Sequence, residues 1–269
     1  MGAGMNILEK LAEHAAERVE AYRREIPLPE MKARAIEAAD RTGSAAFAFE
    51  KALRGEEIRF ICECKKASPS KGLIAPDFPY REIAGTYESA GAAAVSVLTE
   101  PKWFLGADRY LQEIAETVGI PCLRKDFTVD EYMIWQAKVL GAGAVLLICS
   151  ITAEEDLKRY LAICDRIGLS ALTEAHDEDE VKMAVRCGAR VIGVNNRNLK
   201  DFTVDIRNSI RLREMAPEDV IFVAESGIRT PEDVEELRKN GVNAVLIGEQ
   251  LMRAGDPAAE LRRLRGKEQ

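Results

Sequence analysis

Gly141-Ala142-Gly143-Ala144-Val145-Leu146-Leu147-Ile148-Cys149-Ser150-Ile151-Thr152-Ala153-Glu154-Glu155-Asp156-Leu157 holds one full unit of this chain's repeat. Gly141 marks the end of a helix, because glycine accepts the left-handed backbone found there. The small residues after it allow close packing of helix on sheet. A short, nearly continuous apolar run follows, as expected of a strand buried on both faces. Thr152 then reads as the cap of a helix whose first turn is acidic, which suits the positive end of the helix dipole.

The same unit recurs from about residue 59 onward. Apolar runs at 59–65, 93–100, 121–127, 144–150, 169–175, 191–197, 220–226 and 244–249 predict eight strands. They start roughly 22 to 34 residues apart, the size of one strand–helix unit. Gly91, Gly119, Gly168, Gly188 and Gly241 repeat the helix stop of Gly141, and Thr230-Pro231-Glu232-Asp233 is a further helix start. Eight such units predict an α/β fold, a closed (β/α)8 TIM barrel. The alternative is an open doubly wound sheet. That fold carries a dominant G-x-G-x-x-G loop after its first strand, and here the first loop is Ser68-Pro69-Ser70-Lys71-Gly72.

Residues 1–58 lie outside the repeat and read as an N-terminal helical extension: helices at 7–24, 31–40 and 45–53, with a break at Pro27 and Pro29. The extension is apolar enough to pack on the barrel of residues 59–269, so one structural domain is expected. It either covers the barrel mouth or plugs its floor, and the sequence does not choose between them.

Several strands are apolar and then abruptly charged at their C-terminal tips, where ligands meet parallel α/β sheets. Side chains alternate along a strand, so Glu63 and Lys65 share a direction. The same count brings Lys125, Glu174, Asn195, Arg197 and Glu225 to one mouth. An internal ion-pair network would fill that space blandly. Buried pairs are, however, a poor source of stability, whereas converging amines and carboxylates shift one another's pKa values for acid–base work. Strand seven runs into Ser226-Gly227-Ile228 and strand eight into Ile247-Gly248-Glu249. Glycines after these two strands are where barrels bind phosphate through backbone N–H groups.

These strings together resemble indole-3-glycerol-phosphate synthases: Lys65-Lys66-Ala67-Ser68-Pro69-Ser70-Lys71-Gly72, Val97-Leu98-Thr99-Glu100, Leu123-Arg124-Lys125-Asp126-Phe127, Ala224-Glu225-Ser226-Gly227-Ile228 and Leu246-Ile247-Gly248. The resemblance spans essentially the whole chain. It implies a carboxy-lyase of tryptophan biosynthesis that closes the pyrrole ring of 1-(2-carboxyphenylamino)-1-deoxyribulose 5-phosphate. Carbon dioxide and water are lost, and neither metal nor cofactor is used. By the same resemblance Lys125 is the acid of ring closure, and Lys65 meets the substrate carboxylate and assists dehydration. Glu174 and Glu63 are the acid–base carboxylates, with the division among Lys65, Glu63 and Glu174 open. Asn195 and Glu225 hold the sugar and order the lysines. Arg197 falls on a matching position, and Phe104 lines the anthranilate pocket. Phosphate falls to Ser226, Gly227, Gly248 and Glu249, with Lys65 and Ser68 adding side-chain contacts. Glu249 stands where a serine is common, so only its backbone N–H is expected to serve. Asn196 also replaces a common serine, with no evident consequence. Two rivals stay open here: phosphoribosylanthranilate isomerase, and a barrel that binds a phosphosugar without turning it over.

The formal net charge is -7 and no basic stripe is present, so a nucleic-acid partner is not expected. No apolar run reaches the ~18 residues of a membrane span. Residues 1–25 lack a signal-peptide core. A cytoplasmic monomer acting on a phosphorylated small molecule is the expectation. The six cysteines read as buried thiols, with a reactive or metal role for Cys62 and Cys64 as the alternative. His14 reads as a solvated helix residue. His176, two residues after Glu174, reads as a neighbour of the mouth with no assigned role.

Overall fold

In the computed structural model, residues 6–197 and 203–266 are described. The predicted ends of the extension (1–5) and of the barrel (267–269) lie outside them. The eight parallel strands are β1 Arg59–Cys64, β2 Ala94–Leu98, β3 Cys122–Lys125, β4 Ala144–Ile148, β5 Ser170–Ala175, β6 Val191–Asn195, β7 Ile221–Glu225 and β8 Ala244–Ile247. Each pairs with its neighbours in sequence, and β1 pairs with β8 to close the barrel. All eight predicted strands exist. Most stop one or two residues earlier than predicted, because the chain leaves the ladder before its apolar or charged run ends.

The extension forms α1 Ile7–Glu25, α2 Leu28–Thr42 and α3 Ala48–Leu53. The predicted break between the first two helices is present at Ile26 and Pro27, but Pro29 lies past it, inside α2. Pro27 caps α2 and Pro29 sits in its first turn, where the missing N–H costs no helical bond. Following β1, β2, β3 and β4 come α4 Tyr80–Ser89, α5 Asp108–Thr117, α6 Glu131–Val139 and α7 Glu154–Arg166. The rest are α8 Glu178–Arg186, α9 Arg207–Arg213, α10 Pro231–Lys239, α11 Glu249–Arg253 and α12 Pro257–Leu264.

Two helix signals resolve differently. Thr230 caps α10 as read, in a reciprocal box with Asp233. Thr152 does not cap α7: Ala153 holds that position without a side-chain bond, and the Thr152 hydroxyl is buried and unpaired. Gly141 has φ 85° as expected of a helix stop, whereas Gly119 does not enter the left-handed region.

Alternation along the strands divides the interior by height. Ile61, Leu123, Leu172, Val191, Ile221 and Ala244 form the apolar lower barrel with their neighbours. The charged residues sit above them at the C-terminal ends. Phe49 and Leu53 of α3 join that lower core, and the Phe47 N–H donates to the Gly168 carbonyl just before β5. The floor is therefore plugged by α3. At the other end, Ile7, Leu8 and Leu11 of α1 line the mouth. The extension does both jobs that the sequence left open. Among the described residues no helix is long and apolar enough to cross a membrane.

Candidate active site

All thirteen residues singled out from the sequence line one cavity of about 890 Å³ at the C-terminal end of the barrel. That volume lies in the range of small-molecule sites. Ladder register explains the convergence. Glu63 pairs with Ser96, Leu98 with Lys125, Glu174 with Gly193 and Asn195 with Glu225.

Two cation–carboxylate sets result. Lys125 Nζ lies 3.0 Å from Glu174 Oε2 and 3.2 Å from Glu225 Oε2. Lys65 Nζ lies 2.5 Å from Glu63 Oε1, whose partner oxygen accepts a 3.2 Å bond from the Ser96 hydroxyl. Burial by itself would disfavour the Lys125 cation, but Glu174, Glu225 and Glu63 outweigh it and hold its pKa well above the usual lysine range. Burial also opposes ionisation of Glu174, yet Lys125 and His176 bring its pKa well below the ordinary carboxylate value. Glu225 goes the opposite way. Burial dominates, Glu174 and Glu63 repel a further negative charge, and its pKa rises. One site thus holds a fixed cation, a fixed anion and a carboxyl poised to take up a proton.

Space for these groups comes from two glycines. A Cβ on Gly193 would collide with Glu225 Oε1 and lie 3.0 Å from Leu172 Cδ1. A Cβ on Gly248 would fall 2.6 Å from Glu63 Oε1 and 3.1 Å from Lys65 Cε. Gly248 therefore makes room for the Glu63–Lys65 pair as well as opening the loop. Gly193 is legible only as a strand residue until the fold lays the Glu225 side chain across it.

The anion cradle has unusual backbone. Ser226 (φ 68°) and Gly227 (φ 85°) are successive left-handed residues, a strained state for serine. Asn196 helps to impose it: its Nδ2 donates to the Ser226 carbonyl at 3.1 Å, while its Oδ1 accepts from the Ser209 hydroxyl at 2.7 Å. Asn196 is thus a structural member of the site. The Glu249 carboxylate meets Arg253 Nε at 3.2 Å and Lys71 Nζ at 3.6 Å, so cations on the rim offset its charge. Ser68 lies in a two-stranded hairpin, Ala67–Ser68 with Gly72–Leu73, that carries Lys71 over the rim.

Phe104 lies in the loop after β2, its ring 6.0 Å from that of Phe127, and both line the cavity. That loop is tied down by Glu100, which accepts from the backbone N–H groups of Lys102, Trp103 and Phe104 at 2.8–3.0 Å. His14 is not a solvated residue. Its Nδ1 lies 3.2 Å from Glu100 Oε1, and its ring meets Trp103 edge-on at 5.5 Å. Asn195 ends β6 and accepts from the Arg197 N–H at 3.1 Å, and both face the cavity. Cys62 and Cys64 point outward into the helix layer, and burial pushes both thiols up in pKa. That suits packing rather than nucleophilic chemistry.

A family model described as indole-3-glycerol phosphate synthase matches residues 8–264. The protein of that name from Ruminiclostridium cellulolyticum is 56% identical over 260 residues, covering 97% of this chain and 99% of that one. The namesake from Lachnoclostridium phytofermentans is 51% identical over 267 residues, covering 96% and 98%. Among solved structures, thiamine phosphate pyrophosphorylase from Pyrococcus furiosus is similar with a TM-score of 0.59 at 17% identity, covering 80% of this chain and 96% of that one. The last likeness speaks to the barrel fold alone.

Proposed function

The chain belongs to the indole-3-glycerol phosphate synthase family, and from that premise we propose how its mouth performs the reaction. The enzyme is a carboxy-lyase of tryptophan biosynthesis. It converts 1-(2-carboxyphenylamino)-1-deoxyribulose 5-phosphate to indole-3-glycerol phosphate by ring closure, decarboxylation and dehydration. The observation that carries the assignment of roles is the placing of Lys125 Nζ between Glu174 and Glu225, in the same cavity as Phe104 and Phe127.

Ring closure needs a proton for the ketone oxygen as a ring carbon attacks. Lys125, held protonated by its carboxylates, supplies it and stabilises the developing oxyanion. Lys65 meets the substrate carboxylate, releasing Glu63 from its 2.5 Å contact. Loss of carbon dioxide restores the aromatic ring. Dehydration then needs an acid for the departing hydroxyl and a base for a proton, and Lys65, Glu63 and Glu174 are the candidates within the cavity. Asn195, Glu225 and Arg197 position the sugar chain. Phe104, with Phe127 and the apolar residues of α1, encloses the anthranilate ring. Ser226, Gly227, Gly248 and the Glu249 backbone hold the phosphate, with Ser68 in the loop after β1, the strand next to β8.

The proposal needs neither metal nor cofactor, since lysines and carboxylates supply every proton. It includes a cytoplasmic monomer forming one structural domain. The six cysteines are unpaired thiols, as suits a reducing compartment. The test is fluorescence of the indole product when purified protein meets the substrate in the presence of EDTA. Turnover supports the reading, and binding without turnover rejects these roles.

Ser226→Asp tests the anion cradle. Aspartate tolerates the left-handed backbone, so the change adds charge with little added strain. KM is expected to rise at least roughly tenfold with a smaller change in kcat, since a misplaced charge–charge contact costs more than ~1.4 kcal/mol in a partly buried site. An unchanged KM would remove the phosphate from this loop.

A further inference from the structure

His176 follows β5 directly and has no part in the roles above. Its backbone N–H donates to Glu180 Oε2 at 2.8 Å, and its Nδ1 lies 3.1 Å from the same oxygen. Glu180 is on the first turn of α8, which Asp177 caps. The Asn208 amide on α9 donates to the His176 carbonyl at 3.3 Å, fixing the backbone from the other side. The second ring nitrogen, Nε2, is buried without a hydrogen-bond partner and lies 3.4 Å from Glu174 Oε1. The other oxygen of Glu174 bonds Lys125. Glu180, His176, Glu174, Lys125 and Glu225 therefore form a line of alternating charge from α8 to the centre of the mouth.

We infer that His176 is a positioning residue that clamps Glu174: the imidazolium, anchored by Glu180, holds one Glu174 oxygen and leaves the other aligned on Lys125. The inference rests on the proposed role of Glu174 and Lys125. A carboxylate between two cations has one favoured rotamer and one protonation state, whereas a carboxylate with Lys125 alone can turn or take up a proton. The groups facing the ring are Glu174 from β5 and Glu180 from α8, with Asp177 beside it. The Cys149 thiol after β4 contacts the Glu180 carbonyl. Burial disfavours the imidazolium, but Glu174 and Glu180 outweigh it and raise the ring pKa to about 10.

The chain has two histidines, so nitrogen NMR of 15N-histidine-labelled protein resolves each ring without any activity. His176 is expected to carry protons on both nitrogens at pH 8, and Glu180→Gln to lower its midpoint. In His176→Gln, whose amide can replace a hydrogen bond but not a charge, kcat is expected to fall about tenfold. KM should stay within about twofold, and the acid limb of the rate profile should move up by about one pH unit, the size of a single opposite charge at this range. A His176 ring titrating at its ordinary value of about 6.5, or an unmoved acid limb, overturns the clamp. If the wild type proves inactive, the NMR result still decides the clamp and only the reading of the activity falls. If His176→Gln does not fold, the wild-type and Glu180→Gln titrations decide it.

Discussion

Lys125→Ala is expected to lower kcat by ~10²–10⁴-fold, the usual contribution of a positioned general acid, while substrate binding survives. Binding survives because the phosphate loops, the Phe104 and Phe127 faces and Lys65 are untouched. The barrier rises because no other cation occupies the space between Glu174 and Glu225 among the described residues. The variant also carries a stability signature. It leaves two carboxylates buried without their shared cation, and removing one partner of a buried pair typically costs ~3–5 kcal/mol. Part of that loss is recovered by protonation, so the variant should be most stable at a lower pH than the wild type. Lysine itself imposes no such limit. Its folded pKa is raised, so its stabilisation is complete below the unfolded value and lost only as pH rises through the folded one. Single-turnover kinetics with calorimetry across pH separate the effects. A near-normal rate would mean that another group protonates the carbonyl.

Much of this site was legible because a charge at the tip of a buried strand is costly unless the fold gives it a partner or a ligand. Glu63, Lys65, Lys125, Glu174 and Glu225 can be read from alternation alone. The residues that escaped do their work through neighbours distant in sequence. Gly193 looks like any strand glycine until the folded barrel brings the Glu225 carboxylate over it. Asn196 has an outward position on the strand count, yet its amide fixes the carbonyl of Ser226 in the loop after the next strand. Thr152 reads as a cap by residue type, but capping depends on where the chain enters the helix, and α7 starts one residue later than Thr152 requires. The helical extension shows its apolar stripe in the sequence. Its two docking places depend on Arg18 at the mouth and Phe49 at the floor, each matched to partners more than a hundred residues away or inside the barrel.

Arg18 leads to the second large effect. Asp126 follows Lys125 and is fully buried. It receives two bonds from the Arg18 guanidinium, at 2.6 and 3.0 Å. The Thr99 hydroxyl adds a bond at 2.5 Å and the Phe127 N–H another at 2.8 Å. Asp126→Ala strips Arg18 of this two-point anchor and is expected to cost ~3–5 kcal/mol, roughly 6–20 °C in Tm for a chain of this size. The loss should also reach the chemistry. Arg18 ties α1 to the end of β3, and α1 presents Ile7, Leu8 and Leu11 to the cavity. KM is therefore expected to rise several-fold, with kcat affected less than in Lys125→Ala. Acid supplies an independent check. Burial would raise the Asp126 pKa, but the Arg18 bonds, Arg124 and Thr99 more than reverse this and lower it. A depressed folded pKa contributes stability above the unfolded value, near 3.9, and that contribution is lost as pH falls through the folded value. Wild-type stability should thus fall on acidification below about pH 4, and Asp126→Asn should lack that component while starting from a lower plateau. A Tm within about 2 °C of wild type, together with an unchanged KM, would show that the extension docks without this pair.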